Sequence, residues 1–162
     1  MTAPSRLQLV TFSDPAVALG IAVRLTMQYP VFAKLPFGEW AEVLAAQSMR
    51  GHQAFVVDDA REVRGFFGYA LASRVDAEAW ASGTRQLRSD ECLTGDCLIL
   101  NAWVSTDRTT LGFMIRAFRR LGQPKQALYF KRLYSNGTVR ASCIANNKIV
   151  ARHVYRDHEA LC

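Results

Sequence analysis

The chain has 162 residues, half of them hydrophobic and 21% charged, with 5 prolines and 10 glycines; these are the proportions of one soluble globular domain, expected over residues 1–162. Arg24, Arg64 and Arg74 break the most apolar windows before they reach the roughly 18 to 20 residues of a membrane span, and the start lacks the basic-then-apolar order of a secretion signal, so a cytoplasmic location is expected. The net charge of +6 lies mainly in the second half of the chain and suits an acidic protein, a phosphate backbone or a solvated basic face.

In chain order, "DPAVALGIAVRLTMQYP" predicts a helix opened by Ser13 or Asp14, with Pro15 in its first turn, apolar positions Val17, Ile21 and Leu25 beside Leu19 and Val23, and a stop at Pro30. "PFGEWAEVLAAQSM" predicts a second helix, with Trp40, Val43, Leu44 and Gln47 at helical spacing and Gly51 after its end. The runs "QAFVVDD" and "VRGFFGYALAS", separated by a polar turn at Asp58 to Glu62, predict a hairpin. A polar stretch from Asp76 to Glu91 carries no expected element. "DCLILNAWVS" is aliphatic enough for a central strand, and "TTLGFMIRAFRRLG" predicts an amphipathic helix with Leu111, Met114, Ile115 and Phe118 toward the core. "ALYFKRLYSNGTVRASCIA" predicts two strands joined by a two-residue type I′ turn at Asn136 and Gly137. Residues 146–162 form a polar, basic tail. One mixed sheet flanked by helices, an α/β (α+β) domain, accommodates this order.

Cys92, Cys97, Cys143 and Cys162 lack the density of a disulfide scaffold and are expected to be reduced thiols. Cys92 and Cys97 have no second pair at comparable spacing, so no metal site is expected. The chain lacks GxxxxGK[ST], GxGxxG, GxSxG and HExxH, which leaves nucleotide hydrolysis, dinucleotide binding and the common hydrolase and zinc-protease chemistries without support. Of three histidines, His153 and His158 lie in the polar tail and His52 follows Gly51 at a helix-to-strand turn. Arg116, Arg119 and Arg120 fall three and four residues apart, on one helix face, and Lys131, Arg132 and Arg140 continue the basic bias. These six are the candidate partner-binding residues.

The order of the pieces resembles a family. "LGIAVRL", "YPVFAKLP" with Pro30 and Pro36, "RGHQAFVVDDAREVRGFFGYALAS", "WASG", "CLILNAWVSTD" and "LYFKRLYSNGTVR" together are similar to successive segments of the RTX toxin-activating lysine-acyltransferases, over about four fifths of the chain. Those proteins transfer a fatty acyl group from acyl carrier protein to internal lysines of a protoxin. The resemblance implies a GNAT-like acyltransferase fold, a cytoplasmic protein, a tendency to homodimerise, no cofactor beyond acyl carrier protein as donor or partner, and a site built on one histidine and one aspartate.

Carried over residue by residue, the histidine falls on Phe32 and the aspartate on Asn101. A lysine amine must lose a proton before it attacks a thioester, or the acyl group must pass through an activated side chain, and histidine with a carboxylate serves either route. Phenylalanine does neither, and asparagine has no charge to stabilise an imidazolium. The expectation is a diverged, non-catalytic member that binds a protein partner as an adaptor, chaperone or assembly factor. The alternative is an active acyl-carrier-protein-dependent lysine fatty-acyltransferase with a relocated base, drawing on His52, Cys97, Asp96 or Asp107; on an ideal strand Cys97 and Asn101 share a side. A third reading is a nucleic-acid-binding protein using the Arg116 helix and the late hairpin.

Overall fold

A computed structural model describes residues 6–134 and 138–145. Its strands form one six-stranded mixed sheet in the order β1-β2-β3-β4-β5-β6: Gln8–Val10, Gln53–Val57, Val63–Ala72, Cys97–Ser105, Ala127–Leu133 and Val139–Ala145. Five α-helices accompany them: α1 Pro15–Thr26, α2 Pro30–Ala33, α3 Phe37–Arg50, α4 Arg74–Ser82 and α5 Arg108–Gly122. Among the described residues no helix is long and apolar enough to cross a membrane. The chain divides into two compact units, one of Met1–Gly68 with Ala102–Ala117 and one of Tyr69–Asn101 with Phe118–Cys162.

In the first unit β2 pairs antiparallel with both β1 and β3, so the expected hairpin is present. The Asp58 carboxylate holds its turn by accepting the Ala60 and Glu62 N–H groups at 3.0 and 2.9 Å. Asp14 caps α1, accepting the Ala16 N–H at 2.8 Å, and Pro15 opens the helix. The buried residues of α1 are Ala18, Ala22, Leu25 and Thr26; of the expected apolar positions Leu25 is buried, Leu19, Ile21 and Val23 pack against the core, and Val17 is exposed. Small alanines let α1 approach Leu44, Phe55, Phe66, Ala102 and Val104 in one core, whereas β-branched residues there would hold it off. On α5 the i, i+4 series Thr110, Met114, Phe118 is buried, and Leu111 and Ile115 are exposed, against expectation. Gly65 explains the approach: a Cβ there would stand 2.5 Å from Met114 Sδ and 2.9 Å from Thr110 Cγ2.

In the second unit α4 occupies the stretch expected to be irregular. Its start is an N-cap that the sequence does spell: Ser73 Oγ accepts the Asp76 N–H at 3.1 Å and donates to the Asp76 carboxylate at 2.7 Å. Ala77 and Ala81 of α4 pack on Cys97, Ile99, Ala127, Tyr129 and Cys143. Strands β5 and β6 pair antiparallel from Ala127↔Ala145 to Leu133↔Val139, and the Tyr134 N–H donates to the Thr138 carbonyl at 2.9 Å. The turn expected at Asn136 and Gly137 lies outside the described residues, as does the 146–162 tail. Cys92 and Cys97 are free and buried, while Cys143 is disulfide-bonded, which departs from the expectation of four reduced thiols.

Strand β4 runs parallel to β5, but only over Cys97↔Ala127 to Leu100↔Phe130. In the first unit Ala102 and Val104 pack with Phe66, and in the second Cys97 and Ile99 pack with Ala70 and Ala72.

Gly95, just before β4, has φ +151°, and a Cβ there would run into the Ala72 backbone. Gly95→Ala is expected to lower the unfolding free energy by more than about 2 kcal/mol, read by urea denaturation; a loss under about 0.5 kcal/mol would show that this backbone contact is dispensable.

Candidate functional site

Phe32 lies in α2, the single turn opened by Pro30 after α1 ends. Its N–H donates to the Tyr29 carbonyl at 2.9 Å, and the Tyr29 hydroxyl donates to the Ser105 carbonyl at 2.9 Å, which ties this turn to the end of β4. The Phe32 ring stacks on Trp40 of α3, centroids 5.1 Å apart at 23°, against the first unit's core. The Phe32 ring itself neither accepts a proton nor carries an acyl group. Asn101 belongs to the other unit, half-buried, on the first β4 residue beyond the pairing with β5.

The substitute candidates hold structural positions. His52 follows the left-handed C-cap Gly51, and its N–H donates to the Gln47 carbonyl at 3.0 Å; its neighbour Gln53 is buried and accepts the Ser48 hydroxyl at 2.9 Å. Cys97 is fully buried, and burial pushes its thiol up, away from the thiolate that a nucleophile needs. Asp96 is exposed and meets Gln126 Nε2 at 3.3 Å. Asp107 caps α5: it accepts the Thr110 N–H and the Thr110 hydroxyl, each at 2.8 Å, and the Thr106 hydroxyl at 3.0 Å. Those hydrogen bonds, the Thr110 backbone first, hold its carboxyl below the usual range, so it serves the helix as an anion. Among the described residues no group of three or more His, Cys, Asp or Glu side chains is arranged to hold a metal ion.

Of the basic residues, Arg116, Arg119 and Arg120 are exposed on α5 and make no ion pair with the described residues. Gly112 leaves room for the Arg116 guanidinium, whose Nη1 would lie 3.6 Å from a Cβ there. Arg132 and Arg140 face each other across β5 and β6, with Arg140 5.7 Å from the Tyr134 ring centroid. Lys131 sits apart from these, its Nζ 4.4 Å from the Trp80 ring centroid.

The structure also assembles a group of side chains that the sequence reading left unconnected. Tyr129 is fully buried, and its hydroxyl donates to Glu78 Oε1 at 3.4 Å, an oxygen that also accepts Arg74 Nε at 2.9 Å. Burial, and then the Glu78 charge, push the Tyr129 hydroxyl up to about 12. Both contacts depend on α4, which was not expected; the Ser73-x-x-Asp76 cap followed by Gly83 is the signal that announces it.

No family model matches the chain, and no curated protein does. Among solved structures, a GNAT-family acetyltransferase from Listeria monocytogenes 4b F2365 is similar at 12% identity with a TM-score of 0.50, over 80% of this chain and 78% of that one. A mosquito arylalkylamine N-acetyltransferase-like protein, 5b, is similar at 11% identity with a TM-score of 0.47, over 83% and 79%. The chain has a GNAT-like α/β fold, with its mixed sheet flanked by helices.

A hydroxyl whose folded pKa lies above its unfolded value contributes stability that is complete below the unfolded pKa and is lost as pH rises through the folded one. The unfolding free energy should therefore fall between about pH 10 and about pH 12, and Tyr129→Phe should flatten that fall. An unchanged slope in the variant would refute the assignment.

Proposed function

We propose that this chain is a GNAT-fold relative of the RTX toxin-activating lysine-acyltransferases that has given up the histidine and aspartate chemistry and acts by binding an acidic protein partner. The observation that carries the reading is the Phe32 and Trp40 stack. Where the resemblance expects a base, an aromatic ring packs against another ring. Loss of a general base removes about two to four orders of magnitude in rate, and two of the four substitute candidates hold other positions: Asp107 is held as a helix cap, and Cys97 is a buried thiol with a raised pKa.

The partner surface in this reading is the outer face of α5. The helix carries four arginines and no acidic residue. Leu111 at 36% and Ile115 at 43% exposure stand between Arg108 and Arg116 in the first unit, and Arg119 and Arg120 continue the helix. An apolar pair beside a row of arginines suits an acidic amphipathic segment such as a helix of acyl carrier protein. A phosphate backbone would gain nothing from the two aliphatic side chains, so the protein partner is the reading favoured over nucleic acid.

Two measurements test this. Mass spectrometry of a reaction containing the protein, acyl-loaded carrier protein and whole-cell lysate should show no acyl transfer to a second protein by the wild type. Transfer at a rate comparable with an active acyltransferase would overturn the non-catalytic reading, and Phe32→His with Asn101→Asp in the same assay asks whether the scaffold still accepts the pair. Calorimetric titration with acyl carrier protein should show affinity that falls with salt, and Arg108→Glu with Arg116→Glu should weaken it at least about tenfold. Binding indifferent to these changes, or tighter binding to duplex DNA, would remove α5 as a protein-docking face.

A further inference from the structure

From Pro15 to Gly38 the only charged residues are Arg24 and Lys34, both basic and both exposed. The nearest acids in sequence, Asp14 and Glu39, stand just outside this stretch. Inward, the stretch supplies Ala18, Ala22 and Leu25 to the first unit's core. Outward it is apolar again: Val17, Met27, Val31, Leu35 and Phe37 are exposed, Met27 at 65% and Phe37 at 76%. Val17, Gly20, Arg24 and Met27 follow one another at three- and four-residue steps, along one side of α1 and its C-cap. An ordinary surface helix puts polar and charged groups on such a side, and a helix apolar on both sides is one that something covers. The continuation past α1 is held in place from within. The Tyr29 hydroxyl donates to the Ser105 carbonyl and Phe32 stacks on Trp40, while Val31 and Leu35 of the same turn stay outside.

We infer that this face of the first unit docks on an anionic lipid surface. The large apolar side chains enter the headgroup boundary, and Arg24 and Lys34 keep their charged ends at the lipid phosphates while their methylene stems lie along apolar neighbours. Charge complementarity selects this occupant. The cytoplasmic leaflet of a membrane is negative, and between Asp14 and Glu39 the face holds two cations and no acid to be repelled. A second copy of the chain fits worse, because a two-fold contact sets the face against itself and brings only basic residues together. An acidic protein is better served by α5, where four arginines accompany the exposed Leu111 and Ile115. Here the proportion is reversed, with more large apolar side chains than charges, which is the composition of a surface that enters lipid.

The test is co-flotation of the full chain with vesicles of phosphatidylcholine alone and of an equimolar mixture with phosphatidylglycerol. No protein partner is present, so failure here leaves the α5 reading untouched. The wild type should float with the mixed vesicles, and at least about fivefold less with the neutral ones. Phe37→Ser should reduce binding at least about fivefold. Gly20→Glu should do so by the same factor, and because a Cβ at Gly20 meets nothing within 4 Å, its thermal unfolding should match that of the wild type. Lys34→Glu should also reduce binding, whereas Arg116→Glu, an equal change of charge on α5, should cost distinctly less. No flotation with either vesicle would overturn the inference. Equal losses in Lys34→Glu and Arg116→Glu would do the same, as would a dimer in solution that Phe37→Ser dissociates without changing vesicle binding.

Discussion

Parallel neighbouring strands cannot be joined by a tight turn; the chain must leave the sheet, cross a face and return. Here that requirement falls between Cys97–Leu100 and Ala127–Phe130, and α5 is the crossover that meets it. The start of α5 is fixed by Asp107 hydrogen bonds at the end of β4, and its course by the closeness that Gly65 permits to Met114. The arginines of α5 are therefore held outward, because Thr110, Met114 and Phe118 are held inward.

The same ladder stops after four residue pairs, and this interruption shapes the rest of β4. Cys97 and Ile99 pack in the second unit's core, and Ala102 and Val104 in the first unit's. Asn101 is thus placed just past the end of the pairing with β5. On β5, the continuation past Phe130 carries Lys131 onto Trp80.

The apolar economy of the first unit bears on what chemistry remains. Phe12, Phe55 and Phe66 meet ring to ring, with centroids 5.0 Å apart in each contact, and Phe32 and Trp40 add a stacked pair at the edge of the same core. Aromatic contacts of this kind stabilise beyond their area. A histidine in place of Phe32 would put a polar ring into that contact.

Much of the fold was legible in the residues because local signals and global structure agree. Asp14 with Pro15, Gly51 after α3, the Asp58 turn, and the alternation of β2, β3, β5 and β6 each act through nearest neighbours, so a sequence suffices to read them. The α4 cap was equally local, yet the weak apolarity of "RVDAEAWAS" concealed its helix. Leu25 on α1 and Met114 and Phe118 on α5 turn inward as their spacing indicates, but that Val17, Leu111 and Ile115 stay exposed while Ala18, Ala22 and Thr110 are buried was beyond sequence, because close approach at small residues such as Gly65 decides it. The identities of Phe32 and Asn101 at the two inferred positions were set by sequence alone. That Phe32 stacks on Trp40, that the pairing of β4 with β5 stops just before Asn101, and that Tyr129 meets Glu78 and Lys131 meets Trp80 was decided only by tertiary structure, since each depends on separate elements meeting in space.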